Sequence, residues 1–307
     1  MTKVFIDGSA GTTGLKIKER LSHRSDLQLI ILPDHLRKDP LAKKDAINSS
    51  DVTFLCLPDD AAKESVSLLE NENTVIIDTS TAHRVNDSFV YGFPEIVGYE
   101  KVKKAKKIAN PGCHASGFIA LIAPLVKNGI ITKDALLSCT SLTGYSGGGK
   151  NMIADYEEDN NSLNEAPRLY GLTQNHKHLK EMAHFTLLET APLFLPIVSN
   201  FYSGMQVTVP LFVNQINGDM KIISDIYKEC YNGPVVKFVE NADENGFMSA
   251  NKLSGTDSME ITLTGNQDKI LLTARYDNLG KGASGSAIQN MNIVLGVNET
   301  IGLNLAK

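Results

Sequence analysis

Lys3-Val4-Phe5-Ile6-Asp7-Gly8-Ser9-Ala10-Gly11-Thr12-Thr13-Gly14-Leu15 decides the fold of this chain. A short apolar run meets a glycine turn. The turn opens into a helix pattern that puts Leu15, Ile17 and Leu21 on one face. Strand, glycine turn and helix together are the setting a dinucleotide site requires, because backbone amides at a helix N-terminus can hold a pyrophosphate. The spacing is G-x-x-G-x-x-G rather than G-x-G-x-x-G. The plainer alternative is a tight turn that binds nothing.

Further apolar runs follow at residues 27–32, 51–57 and 74–78, with a helical pattern over 61–69. Strands alternating with helices indicate a doubly wound parallel sheet, with ligands at the carboxyl ends of the strands. The loops after Asp7, Pro58 and Asp78 are therefore expected to share one crevice. An NAD site usually ends its second strand on an acid that binds the ribose hydroxyls. Here Leu32-Pro33 comes first, then Asp34, His35, Arg37 and Lys38. That basic loop suits the 2′-phosphate of NADP, although Asp34 is also able to bind a ribose. Ser80 and Arg84, in the loop after Asp78, can hold an anion by charge-assisted hydrogen bonds.

The next chemical feature is Asn110-Pro111-Gly112-Cys113-His114-Ala115-Ser116-Gly117, followed by an apolar run. A turn opening into a helix at Cys113 would expose the thiol to the positive end of the helix dipole, which favours the thiolate nucleophile. Cys56, Cys139 and Cys230 lie in strand-like or helical patterns and read as structural. His176 and His178 offer an acid–base group, and on a helix two residues apart they would diverge, so that only one faces Cys113. Gly144 to Lys150 nearly matches a phosphate-binding loop, but Asn151 lacks the hydroxyl that would bind magnesium, so it reads as a flexible glycine loop near a site. No metal site is expected. The second half is rich in alternating strands, with a hairpin at 257–264 and 269–276, and so reads as an α+β domain with a largely antiparallel sheet. A closing apolar helix holds Ile288, Met291 and Ile293 and can return to cover the first domain.

With 307 residues the chain has enough length for two domains. A net charge of -5 argues against a nucleic-acid partner. Four scattered cysteines make no disulfide framework, and no apolar run is long enough for a membrane span. A soluble, cytoplasmic protein is expected.

Taken in order, these segments resemble the shorter-type N-acetyl-gamma-glutamyl-phosphate reductases, whose wider superfamily includes aspartate-semialdehyde dehydrogenase. The resemblance rests on residues 7–15, 55–59, 80–84, 91–95, 110–113, 144–150, 176–179 and 281–285, with Gln289 and Asn290. It implies a Rossmann-type dinucleotide domain over 1–112 and 284–307, and a catalytic and dimerisation domain over 113–283. It implies Cys113 as nucleophile and one of His176 and His178 as acid–base. By the same resemblance Gly8, Gly11, Thr12, Thr13 and Gly14 would hold NADP, Gly282 and Ala283 would lie near its nicotinamide, and Ser80 and Arg84 would bind the substrate's phosphate. The implied partners are an acyl phosphate and inorganic phosphate; an antiparallel second domain with a free face leads to the expectation of a homodimer or homotetramer. His114 stands where the family carries an aromatic such as tyrosine, and Lys180 where it carries proline. The competing readings are a related acyl-phosphate reductase, a non-catalytic cofactor sensor and a thiol hydrolase.

Overall fold

A computed structural model describes residues 1–159 and 161–306. The chain forms two compact units, one of residues 1–111 and 283–303, the other of 112–282 with the last few residues.

The first unit carries a six-stranded sheet of β1 (Thr2–Asp7), β2 (Leu27–Ile30), β3 (Val52–Leu55), β4 (Val75–Asp78), β5 (Val90–Tyr91) and β6 (Lys107–Ala109), in the order β2-β1-β3-β4-β6-β5. Every pairing in it is parallel. Its strands are apolar on both faces because both are covered. Val4 and Ile6 point to one side, with Phe54, Val75 and Ile77, and meet Ile17 and Leu21 of α1 (Thr12–Leu21). Phe5, Leu55 and Ile76 point to the other side and meet Ala46 and Ile47 of α2 (Pro40–Asn48). α3 (Asp59–Ser67) follows β3, and the short helices α4 (Pro94–Val97) and α5 (Tyr99–Lys103) precede β6. Leu15 does not join the buried face of α1. It is half exposed, and only Gly14, Ile17 and Leu21 are buried.

The second unit begins with α6 (Cys113–Lys127) and carries a seven-stranded sheet of β7 (Ser138–Gly144), β8 (Arg168–Leu169), β9 (Leu193–Ser199), β10 (Met205–Phe212), β11 (Val236–Phe238), β12 (Met259–Gly265) and β13 (Lys269–Tyr276). The order is β11-β12-β13-β10-β7-β9-β8. β7 with β9 and β11 with β12 are parallel; the other pairs are antiparallel. The glycine stretch before Lys150 is not an open loop. It winds into a 3-10 turn, Tyr145–Gly148, and then α7 (Gly149–Glu157). α8 (His178–Thr186) and α9 (Met220–Cys230) complete the unit's helices.

α6 is apolar nearly all round and buried along most of its length, as a core helix should be. Pro124 lies inside it and leaves the Ala120 carbonyl without its helical donor. The Tyr231 hydroxyl donates to that carbonyl at 2.5 Å, and Tyr227 donates to the neighbouring Leu121 carbonyl at 2.5 Å. Tyr231, just past the end of α9, thus replaces the bond that proline removes.

A buried charge cluster spans β12 and β13. Arg275 is 1% exposed, and its guanidinium donates to Glu260 Oε1 at 2.7 and 3.1 Å and to Glu244 Oε1 at 2.7 Å. It also reaches the Ala242 carbonyl. Lys252 adds a further contact to Glu244 at 3.0 Å. Burial tends to raise the Glu244 carboxyl, but the Ser249 amide, Lys252 and Arg275 outweigh it and hold the group down to about 2.

α10 (Gly285–Val294) returns to the first unit, where Ala287, Ile288, Met291 and Ile293 enter the same apolar cluster as Val4 and Ile77.

Candidate functional site

In the first unit, the turn after β1 is tightly built. Gly8 has φ +83, and a Cβ there would fall 2.2 Å from the Cys56 carbonyl oxygen. A Cβ on Gly14 would fall 2.4 Å from the Gly8 carbonyl oxygen. These two glycines let β1, its turn and α1 close up. Gly11 is different. It is the N-cap of α1, and the nearest protein atom to a Cβ there is 3.5 Å away. Packing within the protein therefore does not require glycine at that position. Thr12 and Thr13 open α1.

Beside this turn lies a cavity of about 240 Å³, lined by Gly8, Ser9, Ala10, Arg37, Lys38 and Lys43 among others. It brings together the turn after β1, the basic stretch after β2 and the start of α3. The loop after Asp78 does not line it. Arg37 pairs with Asp34 at 2.7 Å, and Lys43 lies 3.4 Å from Asp7. A glycine cradle at a helix N-terminus next to three basic side chains has the donor set a phosphorylated dinucleotide needs.

Ser80 and Arg84 are both buried. The Ser80 hydroxyl donates to Asp78 at 2.8 Å, and His83 Nδ1 bonds the same carboxylate at 2.6 Å. Arg84 donates from Nε to the Asn110 carbonyl at 3.0 Å and from Nη2 to the Thr79 carbonyl at 3.1 Å. Part of its guanidinium thus holds the chain just ahead of the cysteine turn. Asn110 is pinned further: its side chain donates to the Ala283 carbonyl at 3.0 Å and accepts from Asn290 at 3.2 Å.

The second unit receives the chain at Gly112. Cys113 is the first residue of α6, as the turn predicts. The Gly112 amide donates to Glu181 Oε1 at 2.7 Å. The Tyr276 hydroxyl donates to the Cys113 carbonyl at 2.6 Å and accepts from the Gly117 amide at 3.0 Å, so it is inserted in the first turn of the helix ladder. Gly117 makes room, since a Cβ there would lie 2.6 Å from that hydroxyl. Gly282 packs on the cysteine, with an added Cβ 3.1 Å from the Cys113 Cβ. Burial pushes the Cys56 thiol up to about 12 and also raises Cys139 and Cys230.

The two histidines do not diverge. α8 begins at His178, so His176 lies outside the helix and the angular argument does not apply. Their rings meet edge to face at 4.8 Å, and His114 lies 5.6 Å from each. The His178 amide donates to His176 Nδ1 at 3.2 Å, which leaves the neutral ring's proton on Nε2. Phe194 packs against His114 and His176. Burial, helped by the Lys177 charge, holds His176 down at about 4. Burial, then the charges of His176 and Lys177, hold His114 down at about 3. Both rings are neutral at pH 7.

Those depressed values predict a pH dependence of stability. The unfolded chain binds protons on these rings near pH 6.5, which the folded chain refuses. Stability is therefore complete above pH 6.5 and falls as the pH drops below it, by up to about 1.4 kcal/mol per unit for buried His114 and less for half-exposed His176. Urea unfolding should show a lower midpoint at pH 5 than at pH 7. An unchanged midpoint would contradict the assignment.

Sequence reasoning missed Tyr276, Glu181 and Tyr170. Gly117, a glycine one turn into an otherwise apolar helix, was the available sign of a group pressed against α6. Tyr170 carried no sign. It is brought back by the turn at Gly171, which has φ +63, while the Gln174 side chain pairs with both backbone groups of Phe194 on β9.

Residues 4–105 match a family profile described as semialdehyde dehydrogenase, NAD binding domain, and residues 113–278 one described as semialdehyde dehydrogenase, dimerisation domain. The chain is 42% identical over 306 residues to the N-acetyl-gamma-glutamyl-phosphate reductase of Brucella ovis, covering 96% of this chain and 99% of that protein. The Brucella melitensis biotype 2 protein of the same name gives the same identity and coverage. Among solved structures, aspartate semialdehyde dehydrogenase II from Vibrio cholerae, complexed with ASA, superposes with a TM-score of 0.72 at 15% identity, covering 96% of this chain and 98% of that one. The aspartate semialdehyde dehydrogenase from Francisella tularensis superposes with a TM-score of 0.71 at 14% identity, over 96% and 100% of the two chains. At such identity these two speak for the fold alone.

Proposed function

This chain belongs to the N-acetyl-gamma-glutamyl-phosphate reductases, and from that membership we propose that it is a cytoplasmic, NADP-dependent oxidoreductase of arginine biosynthesis. It converts N-acetyl-gamma-glutamyl phosphate to N-acetylglutamate 5-semialdehyde and inorganic phosphate. The observation that carries the reading is Cys113, fixed at the first position of α6 by Tyr276 and Glu181 in the same unit as the clustered rings of His114, His176 and His178.

In this reading the Cys113 thiolate attacks the acyl carbon. The C–S bond forms, the bond to the phosphate oxygen breaks, and phosphate leaves with that electron pair, giving a thioester. Bound NADPH supplies the hydride that reduces the thioester carbonyl. Cys113 then leaves as the C–S bond breaks, and either His176 or His178 carries the proton that the oxyanion gains and loses. Backbone amides in the first turn of α6 stabilise that oxyanion. Arg84, with Ser80, offsets the charge of the departing phosphate.

Gly8, Gly11, Thr12, Thr13 and Gly14 hold the pyrophosphate, and Gly282 and Ala283 border the nicotinamide. The open position at Gly11 supports this, because the glycine there answers to something other than protein packing. Arg37 and Lys38, in the cavity wall, favour the 2′-phosphate of NADP over NAD. The dimerisation-domain match supports a homodimer or homotetramer.

The test is turnover in the reverse direction, with N-acetylglutamate semialdehyde, NADP and phosphate. Phosphate-dependent formation of reduced cofactor is expected, and much less with NAD or with aspartate semialdehyde. Turnover confined to aspartate semialdehyde would replace the substrate assignment, and no phosphate-dependent turnover by folded protein would remove the reaction.

A further inference from the structure

Asp78 and His83 have no task in the chemistry above. Asp78 ends β4 and is 0% exposed. A carboxylate so deeply buried needs donors, and the loop that follows supplies three. The Ser80 amide donates to Oδ1 at 2.9 Å, while the Ser80 hydroxyl, at 2.8 Å, and His83 Nδ1, at 2.6 Å, share Oδ2. We propose that Asp78 and His83 are positioning residues for Arg84: the loop is folded around the Asp78 carboxylate, and that fold presents the guanidinium as an anion site for phosphate. The proposal rests on the reading of Arg84 as the ligand of the substrate's phosphate.

The contacts run without a gap from Asp78 to the guanidinium. The Asp78 carbonyl accepts from the Asn110 amide at 2.7 Å, and the Asn110 carbonyl accepts from Arg84 Nε at 3.0 Å. Arg84 Nη2 donates to the Thr79 carbonyl at 3.1 Å, which ties the end of the loop to its beginning. Thr79 is itself fixed to the sheet, because its amide and its hydroxyl both donate to the Leu55 carbonyl, at 2.9 and 3.0 Å. Arg84 therefore spans two backbone points at the carboxyl ends of the paired strands β4 and β6. A long side chain held in this way has already lost much of the rotamer freedom that binding an anion would cost.

His83 is oriented by two contacts. The carboxylate oxygen accepts, so Nδ1 carries a proton and donates it. The ring also stacks on Phe89 at 4.3 Å, with the planes 11° apart. Ser80 is committed as well. Its one proton goes to Asp78, and its oxygen accepts from the Ala82 amide at 3.1 Å. This refines its part at the phosphate: Ser80 braces the loop, and Arg84 meets the anion.

The experiment is calorimetric titration of the full chain with inorganic phosphate at fixed ionic strength, with hydrogen exchange over residues 79–84 read by mass spectrometry on the same samples. Arg84→Met defines the binding that belongs to this site. His83→Phe, which keeps a ring on Phe89 and loses the donor, should raise the Kd for phosphate about tenfold and speed exchange in the loop. His83→Asn, whose side-chain amide can still donate to Asp78, should leave both near the wild type. Ser80→Ala should raise both, and its combination with His83→Phe should add little, since the two act through one frame. An unmoved Kd in His83→Phe, or His83→Asn as weak as His83→Phe, would overturn the proposal. So would wild-type protein that binds no phosphate through Arg84. Should His83→Phe lose its folded circular dichroism, Ser80→Ala decides: weaker binding with faster loop exchange supports the frame, and weaker binding with unchanged exchange, or no change in either, overturns it. Phosphate binding needs no turnover, so failure of the reductase reaction shows in the kinetic assay and failure of this proposal in the titration.

Discussion

Cys113→Ser is expected to lower reverse-direction kcat by at least about 1,000-fold while leaving NADP affinity and thermal stability close to the wild type. The thiol is the only strong nucleophile the reading employs. A serine hydroxyl in its place is protonated at neutral pH and forms an ester instead of a thioester. The backbone around residue 113 is held by bonds that do not use the sulfur. Tyr276 holds residue 113 through its backbone carbonyl, and Glu181 holds the Gly112 amide. Those bonds survive the substitution, so lost turnover can be read as lost chemistry. Steady-state kinetics beside a fluorescence titration with NADPH checks both halves. Residual activity within tenfold of the wild type would remove Cys113 from the reaction.

Arg275→Met is expected to destabilise the protein by about 3–5 kcal/mol, since it takes from the buried Glu260 carboxylate its hydrogen-bonded cation and leaves only Lys252, 4.0 Å away. For a protein of this size that corresponds to a fall in melting temperature of roughly 5–8 °C. Glu260 depends on Arg275 most closely, being buried and bonded by two of its nitrogens. Glu244 is better provided for, because Lys252 and the Ser249 amide remain. Methionine fills much of the arginine stem, so the loss comes from charge rather than from a cavity. Replacing Glu260 by Met as well should restore part of the stability, because an apolar pair removes the stranded charge. Differential scanning calorimetry decides it, and a shift below about 2 °C would mean the cluster contributes little.

Four strands of the first sheet were legible because they are short apolar runs bounded by turn residues; β5 and β6, of two and three residues, are too short to carry such a pattern. Cys113 was legible for a related reason: proline and glycine ahead of an apolar helix leave few places for a helix start. What escaped depends on contacts distant in sequence. Arg275 lies in a strand-like run, and nothing local shows that Glu260, in the paired strand, and Glu244, outside both, will face it. His176 and His178 misled because their spacing has meaning only once the first helical residue is known. That start is set by the turn at Gly171 and by Gln174 bonding to Phe194. The open position at Gly11 and the closed ones at Gly8 and Gly14 look identical as letters and differ only in three dimensions.

The return of α10 to the first unit bears on how the protein is made. As the chain leaves the ribosome, β1 to β6 emerge long before the helix that seals one side of their sheet. Through that interval Val4, Ile6, Val75 and Ile77 have no Ala287, Ile288 or Met291 to bury them. Nearly all of the second unit is contiguous in the chain and is synthesised first to completion. The amino-terminal unit is therefore the later one to mature, with that side of its sheet covered only in part, by α1, until α10 is made.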